Sequence, residues 1–385
     1  METDPAPVSR SVGPNTSTTQ PPHGKAKALA LALYHRYEKY TEPAIFCLGF
    51  LWDSITLTRV DSLIDNVVLL LYLAIIGTMI VLTLRRQCGA ALPRWMQRLE
   101  PRFPWAMQFC FGGLFSSYVV FYFKSASWTR TQFFFLVLIF LWIGNEFLQD
   151  RLRNPVLLAS LYSFCLLSFF AFFLPVVLAK VNAEIFVLAG LLSLAISLSV
   201  FAIGFRPDPD AWRGRMRRTA PWITGVVLAM NLLYFANLVP PVPLALKSAG
   251  IYHRVEKTPA GYVVQYVDPP LWRFWKQWDD PFYLSPGESA FCYTAIFAPG
   301  KVRVPVFHVW SRRTGGTWKQ TDRIRFQIIG GREGGYRGFT AKTNIVPGKW
   351  RVEAVTERDQ ILGRIDFTVS VSPVPHPPLH TKLIR

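Results

Sequence analysis

The chain changes character at Asn237–Lys247, which reads NLVPPVPLALK. Pro240, Pro241 and Pro243 stand just past an apolar block, and proline cannot continue a helix because it lacks the amide hydrogen. Before this stretch the apolar residues form long blocks, whereas after it they alternate with polar residues. The stretch therefore predicts the boundary between a helical membrane half and a β-rich half.

The composition indicates a membrane protein. Of the 385 residues, 51% are hydrophobic and only 17% are charged, which is less charge than a soluble domain of this size carries. A membrane-spanning helix needs about 20 mostly apolar residues, and about seven blocks qualify. They are Pro43–Thr58, Leu63–Leu84, Pro104–Phe123, Trp128–Phe147, Pro155–Ala179, Glu184–Gly204 and Pro221–Val239. The first is the weakest, because it is short and contains Asp53.

The basic residues between the blocks predict the topology. Basic loops stay on the cytoplasmic side of a membrane. Three alternate loops hold Arg85, Arg86, Arg94, Arg98, Arg102, Arg151, Arg153, Arg206, Arg213, Arg215, Arg217 and Arg218. The loops between them hold only Arg59, Lys124, Arg130 and Lys180. We therefore expect a multi-pass membrane protein with a cytoplasmic N-terminus and an extracytoplasmic C-terminal half.

This topology accounts for most of the net charge of +18 without a nucleic-acid partner. The segment RPDPDAWRGRMRR is interpreted as a topology determinant, and binding of anionic lipid headgroups is a compatible role.

The composition also predicts how the chain divides into domains and tails. Residues 1–40 are expected to form a disordered tail with a possible amphipathic helix, 41–245 the transmembrane domain, 246–287 a Trp-rich interfacial linker, 288–373 a β-sandwich and 374–385 a Pro-rich tail.

The β-sandwich is predicted from alternation with a period of two. In ILGRIDFTVSV, Ile365, Phe367 and Val369 face one side, while Arg364 and Asp366 face the other. The segments RIRFQII and KWRVEAV alternate in the same way. Several such strands separated by glycine and proline turns indicate an immunoglobulin-like antiparallel sandwich.

Ionisable residues in or near the apolar blocks suggest a polar site in the membrane. These residues are Asp53, Arg59, Asp61, Asp65 and Glu146. Because charge inside a membrane is costly, such groups often line a path for an ion or solute. The alternative is an Asp–Arg pair that fixes a turn, with Glu146 already at the headgroups. No internal repeat of the kind found in transporters supports the first interpretation.

Tryptophan recurs at every third position in PPLWRFWKQWDDPF, as Trp272, Trp275 and Trp278. Tryptophan favours the membrane–water interface, so the segment is a possible interfacial anchor. Capping of the sandwich core is an equally acceptable interpretation, and stacking on sugars is a third.

The glycine-rich stretch GGREGGYRG, Gly330–Gly338, raises the question of nucleotide binding. A P-loop needs a lysine followed by serine or threonine at the start of a helix, and this stretch lies between two alternating strands. Its glycines are therefore assigned to turns. Arg332, Tyr336 and Arg337 remain a possible binding surface for an anionic glycan, lipid or partner, and exposed turn arginines are the alternative.

Catalytic and cofactor motifs are missing from the sequence. It contains no HExxH, GxSxG or CxxC, so no catalytic residue, metal ligand or cofactor is predicted.

The elements GFLWDSITLTRVD, NLVPPVPLALKSAGIYH, GGREGGYRGF and PGKWRVEAVTERDQILGRIDF resemble bacterial multi-span membrane proteins that carry domain of unknown function 2914. The resemblance implies a small β-sandwich after a multi-span region, and a location in the plasma (inner) membrane of a bacterium. It implies no activity or ligand. The favoured function is non-enzymatic display of the sandwich to a partner protein, envelope glycan or lipid, and a transporter or channel subunit is the alternative. The sequence indicates no oligomeric state.

Overall fold

The computed structural model describes residues 62–125, 132–145, 151–240, 243–267, 278–300, 302–331, 334–371 and 378–384. The N-terminal tail and the block Pro43–Thr58 lie outside these residues. The described helices are α1 (Leu63–Gln87), α2 (Arg94–Leu99), α3 (Phe103–Ser125), α4 (Gln132–Gly144), α5 (Pro155–Leu178), α6 (Ala183–Phe205) and α7 (Pro209–Phe235), with a 3₁₀ turn at Glu100–Arg102.

Within the described residues, four helical stretches are long and apolar enough to cross a membrane. They are Leu63–Gln87, Arg94–Phe123, Pro155–Leu178 and Ala183–Phe205. The expected seven spans are therefore not shown. Helix α4 is apolar, but its 13 residues reach only about 20 Å at 1.5 Å per residue.

Helix α7 begins earlier than the block predicted at Pro221–Val239. Asp208 caps it by accepting a hydrogen bond from the Ala211 amide at 3.2 Å, and Pro209 occupies its first position. Proline favours this position because its missing amide hydrogen is not needed there. Most of the segment RPDPDAWRGRMRR, expected to be a loop, is therefore helical, and Pro221 lies inside the helix.

Small residues pack the helices closely. Ala189, Ser193 and Ser197 on α6 are fully buried, as their four-residue spacing predicts. At the neighbouring Gly190, an added Cβ would lie 2.8 Å from the Asn231 amide nitrogen of α7. A larger residue at this position would require the Asn231 side chain to shift.

The arginine-rich connections meet at one end of the helices. The Gln87 amide at the end of α1 donates a hydrogen bond to the Arg153 carbonyl at 2.9 Å, just before α5. Arg215 in the first turns of α7 contacts both Asp208, at 2.7 Å, and Cys88 Sγ, at 2.9 Å. These contacts bring the ends of α1, α5 and α7 together.

The β part contacts the helices at their opposite end. Val181, in the turn between α5 and α6, packs against the β core. The Arg358 guanidinium lies 5.7 Å from the ring centroid of Phe235 at the end of α7. Because α7 has 27 residues, its two ends are about 40 Å apart at 1.5 Å per residue.

Eleven strands are described in the β part. They are β1 (Ala245–Tyr252), β2 (Arg254–Thr258), β3 (Gly261–Val267), β4 (Phe282–Leu284), β5 (Ala290–Phe297), β6 (Arg303–Thr314), β7 (Thr317–Ile329), β8 (Tyr336–Lys342), β9 (Gly348–Thr356), β10 (Ile361–Val371) and β11 (Leu379–Ile384). The first sheet has the order β1-β5-β8, the second β4-β10-β9-β6-β7 and the third β11-β3-β2. Described pairs are antiparallel except that β4 runs parallel to β10.

The first sheet lies between the other two. Its Ile251 and Cys292 share a buried cluster with Trp310, Trp350 and Phe367 of the second sheet. On its other side, a second cluster joins it to the third sheet through Tyr252, Val255, Tyr262, Val264, Tyr293 and Ala295. The β part is therefore a sandwich with a third layer.

Two expected boundaries differ from the structure. The segment assigned to a linker, 246–287, contributes most of β1 and all of β2, β3 and β4. The segment assigned to a Pro-rich tail, 374–385, contains β11, which pairs with β3. The pairing partners of β11 are more than 110 positions away, from Leu379 to Val267, so local alternation could not reveal them.

Candidate functional site

Of the polar membrane site proposed from the sequence, only Asp65 lies within the described residues. Asp65 lies in the first turn of α1, where its amide donates a hydrogen bond to Ser62 Oγ at 3.4 Å. An acidic residue in this position stabilises the helix dipole. The other members, Asp53, Arg59, Asp61 and Glu146, lie outside the described residues, so transport through them stays a prediction.

The proposed surface around Arg337 is divided by its strand. Tyr336 and Arg337 are neighbours in β8, where consecutive side chains point to opposite faces. Tyr336 packs against the core between the first and second sheets. The Arg337 side chain therefore points to the opposite face of β8, and its backbone carbonyl accepts a hydrogen bond from the Tyr262 hydroxyl of the third sheet at 3.0 Å. The two side chains therefore do not form one patch, and Arg332 lies outside the described residues.

Trp278 packs into the β part. Its partly buried side chain contacts both the cluster containing Trp310 and the cluster containing Tyr293. For this tryptophan the structure favours the core-capping interpretation. Trp272 and Trp275 lie outside the described residues.

Trp278 also lines a cavity of about 600 Å³ between β1, β10 and β11. Basic residues from all three strands line this cavity: Lys247, Arg364 and Lys382. Aromatic walls come from Trp278 and Tyr252. The Glu353 carboxylate accepts a hydrogen bond from Arg364 Nε at 2.7 Å, which partly neutralises the cavity's charge. The lining remains cationic overall.

A buried cluster of titratable side chains lies next to this cavity. Two of its residues, His253 and Asp279, directly follow the cavity residues Tyr252 and Trp278 in the chain. His253 Nδ1 lies 2.5 Å from Glu288 Oε1, and His253 Nε2 lies 3.7 Å from Asp279 Oδ2. The imidazole stacks on Phe282 with 4.2 Å between ring centroids. Only about 1% of the His253 side chain and none of the Asp279 side chain is exposed. These residues come from distant segments, so no spacing in the sequence signals the cluster.

The carboxylates of this cluster accept hydrogen bonds from backbone amides at the ends of β3 and β4. The Val267 amide at the end of β3 donates a hydrogen bond to Asp279 Oδ1 at 2.7 Å. The Ser285 amide donates to Glu288 Oε2 at 2.8 Å. Burial raises the pKa of the Asp279 carboxyl from 3.8 to about 7, and Glu288 adds to this, whereas His253 and the Val267 amide act in the opposite direction. The arrangement can hold a proton near neutral pH.

Asp279→Asn should change how stability depends on pH. As pH rises from 3.8 to 7, unfolded Asp279 ionises before the folded side chain does, so the wild type loses stability over this window. Asparagine cannot ionise and keeps an acceptor for Val267. Relative to wild type, the variant should therefore gain about 4 kcal/mol between pH 4 and pH 8. Denaturant unfolding followed by tryptophan fluorescence measures this difference.

Glu357→Gln is the matched control, because Glu357 is exposed. It should shift stability by less than about 0.5 kcal/mol at either pH. A constant difference between Asp279→Asn and wild type across the window would contradict the raised pKa.

No metal centre is evident in the described part of the chain, where no group of three or more His, Cys, Asp or Glu side chains could hold an ion. The cavity offers cations and aromatic rings, which together match an anionic ligand with flat or apolar faces.

Comparisons with known proteins bear on the C-terminal region. Residues 304–369 match the family model described as "Protein of unknown function (DUF2914)", which confirms the resemblance seen in GGREGGYRGF and PGKWRVEAVTERDQILGRIDF. The matched residues run from β6 to β10. No curated protein matches the chain.

Two solved structures are similar at low scores. An immunoglobulin-like protein from Pseudomonas aeruginosa is 15% identical, covers 29% of this chain and 100% of its own, and has a TM-score of 0.17. The alkylpurine DNA glycosylase AlkC from Pseudomonas fluorescens, bound to DNA containing an abasic site analog, is 10% identical, covers 81% of this chain and 99% of its own, and has a TM-score of 0.20. Such scores support no inference about activity.

Proposed function

We propose that this chain is an integral protein of the bacterial plasma membrane that displays an immunoglobulin-like sandwich outside the cytoplasm. We propose further that the cavity between β1, β10 and β11 binds an anionic glycan of the cell envelope. A partner protein or lipid would be bound by the same cationic surface if the glycan is not the ligand. The protein acts by binding, without catalysis.

The cavity carries this proposal. Three basic side chains converge on it from three strands, and Tyr252 and Trp278 supply aromatic surface. The carboxylates of an acidic sugar can pair with the basic side chains, and the apolar faces of its rings can pack on the aromatic side chains. An acidic glycan therefore matches both the charge and the aromatic surface of the cavity. The position of the β part at the end of the helices away from the arginines supports the extracytoplasmic location.

The test compares two charge reversals in the full-length protein. Lys247→Glu with Lys382→Glu changes the cavity, while Lys257→Glu with Lys319→Glu makes the same change in net charge at exposed positions on β2 and β7. Binding of an oligogalacturonate is measured by calorimetry, with an uncharged oligosaccharide for comparison.

The cavity pair should weaken oligogalacturonate binding about tenfold or more, because charge-assisted hydrogen bonds are lost. The exposed pair should change it little. Equal weakening by both pairs would show attraction by net charge alone and would refute the site. Tight binding of the uncharged sugar would refute the anionic specificity.

A further inference from the structure

A second cavity lies at the junction between the helices and the β part. This groove has a volume of about 480 Å³. Val187, Leu188 and Leu191 of α6 form one wall and Phe235 at the end of α7 contributes another. The three aliphatic residues line one side of α6 because Leu191 follows Leu188 by three positions and Val187 by four.

The groove opens sideways, away from the helix bundle. Its apolar side chains are strongly exposed, from 38% at Val187 to 57% at Leu191 and 53% at Phe235. Helix α6 is one of the stretches able to cross a membrane, so these side chains face the hydrocarbon of the bilayer. The wall from Glu184 to Leu191 is about 10 Å long at 1.5 Å per residue, which suits part of an acyl chain.

Two opposite charges stand at the rim of this groove. Arg358, from the turn between β9 and β10, is exposed and lies over the ring of Phe235. Among the described residues, no carboxylate forms a salt bridge with it. Glu184 is also exposed, in the first turn of α6, and accepts a hydrogen bond from the Asn182 amide group at 3.1 Å.

We propose that this groove binds one phosphatidylethanolamine molecule. The acyl chain lies along Val187, Leu188 and Leu191, and the phosphate accepts hydrogen bonds from the Arg358 guanidinium. The primary ammonium group of the lipid donates to the Glu184 carboxylate. Arginine forms bidentate bonds with phosphate, and basic pockets beside membrane helices bind lipid headgroups in this way.

The lipid would hold the β part against the helices. Arg358 belongs to the β part, while the acyl chain is held by α6 and α7. One bound molecule therefore joins the two parts of the chain. This site is separate from the glycan cavity and requires only that the helices lie in a bilayer.

Native mass spectrometry of the full-length protein in detergent tests the site by titration with phosphatidylethanolamine. Arg358→Ala removes the phosphate ligand, and Leu188→Trp fills the groove without altering the β part. Their controls are Arg313→Ala, an exposed arginine on β6, and Leu228→Trp, a 63% exposed position on α7 outside the groove.

Arg358→Ala and Leu188→Trp should each lower the affinity for the first bound lipid about tenfold or more, while the controls stay within about twofold of wild type. Wild-type affinity in both groove variants would overturn the site. Because Leu188→Trp changes only a lipid-facing position, its result stands even if Arg358→Ala loosens the β part.

The amine specificity has its own test. Glu184→Gln should weaken phosphatidylethanolamine binding and leave phosphatidylglycerol binding unchanged. Equal effects on both lipids, or none on either, would contradict the role of Glu184. Oligogalacturonate binding measured on the same variants separates a failure here from a failure of the glycan cavity.

Discussion

Trp310→Ala should lower the free energy of unfolding of the β part by about 3–5 kcal/mol. The Trp310 side chain is fully buried between the first and second sheets, and it meets Phe367 edge to face at 6.4 Å. Its indole nitrogen donates a hydrogen bond to Thr340 Oγ1 at 3.3 Å. Alanine would leave a large cavity and remove this bond. Chemical unfolding of the purified protein, followed by near-ultraviolet circular dichroism, measures the loss.

Trp318→Ala, at the other end of the same hairpin, is the control. Trp318 lies in the edge strand β7 and is covered by the Arg351 guanidinium at 4.1 Å from its ring centroid. A partly exposed contact of this kind contributes about 1 kcal/mol or less. If both substitutions cost the same, the assignment of Trp310 to the core and Trp318 to the surface is wrong.

The β part should also lose stability in acid because of His308. Its ring is fully buried, with Nε2 3.0 Å from Thr294 Oγ1 and Nδ1 2.9 Å from Thr340 Oγ1. Burial lowers the pKa of His308 from 6.5 to about 3. Between these values the unfolded chain binds a proton that the folded chain does not, so stability falls as pH drops from 6.5 to 3. The expected loss is about 4 kcal/mol.

The contribution of His308 is isolated by His308→Gln, which keeps a polar side chain beside both threonines but cannot titrate in this range. Its stability relative to wild type should rise as pH falls from 6.5 to 4. His380→Gln, at an exposed position on β11, should follow the wild-type curve. A His308→Gln curve parallel to wild type would mean that His308 is protonated in the folded protein.

The helices were predictable where local sequence alone determines them. The blocks Pro155–Ala179 and Glu184–Gly204 match α5 and α6 to within a few residues, because their length and apolar character need no partner to be recognised. The start of α7 was missed because the first turns of this helix are rich in charged residues and contain no apolar block. Capping by Asp208 was the available signal.

The strands, like the helices, were predictable where the local sequence pattern alone determines them. Alternation correctly placed Ile365, Phe367 and Val369 in the core, and it correctly turned Arg364 and Asp366 outward, where they pair with Glu353 and Arg351 of β9. In the third sheet, β2 and β3 form a local hairpin that was assigned to a linker. Strand β11 was missed because it pairs with β3 across a long distance along the chain and follows a proline-rich segment. Local patterns carry no information about such pairing.

The residues of the two proposed binding sites were the least predictable part. Lys247, Arg364 and Lys382 are ordinary surface residues in the sequence, and only the packing of β1, β10 and β11 brings them to one cavity. The same holds for Arg358 and Glu184, which lie more than 170 positions apart and meet at one groove. Conversely, Tyr336 and Arg337 are adjacent in sequence, and strand geometry separates their side chains.

The most direct test of the membrane topology is a pair of reporters fused after Arg385. Alkaline phosphatase is active only after export, whereas green fluorescent protein fluoresces after folding in the cytoplasm. We expect the phosphatase fusion to be active and the fluorescent fusion to be dark. Fusions after Gly89, at the arginine-rich end of α1, should show the reverse. A fluorescent, phosphatase-inactive C-terminus would place the sandwich in the cytoplasm and contradict the proposed display of the β part to the envelope.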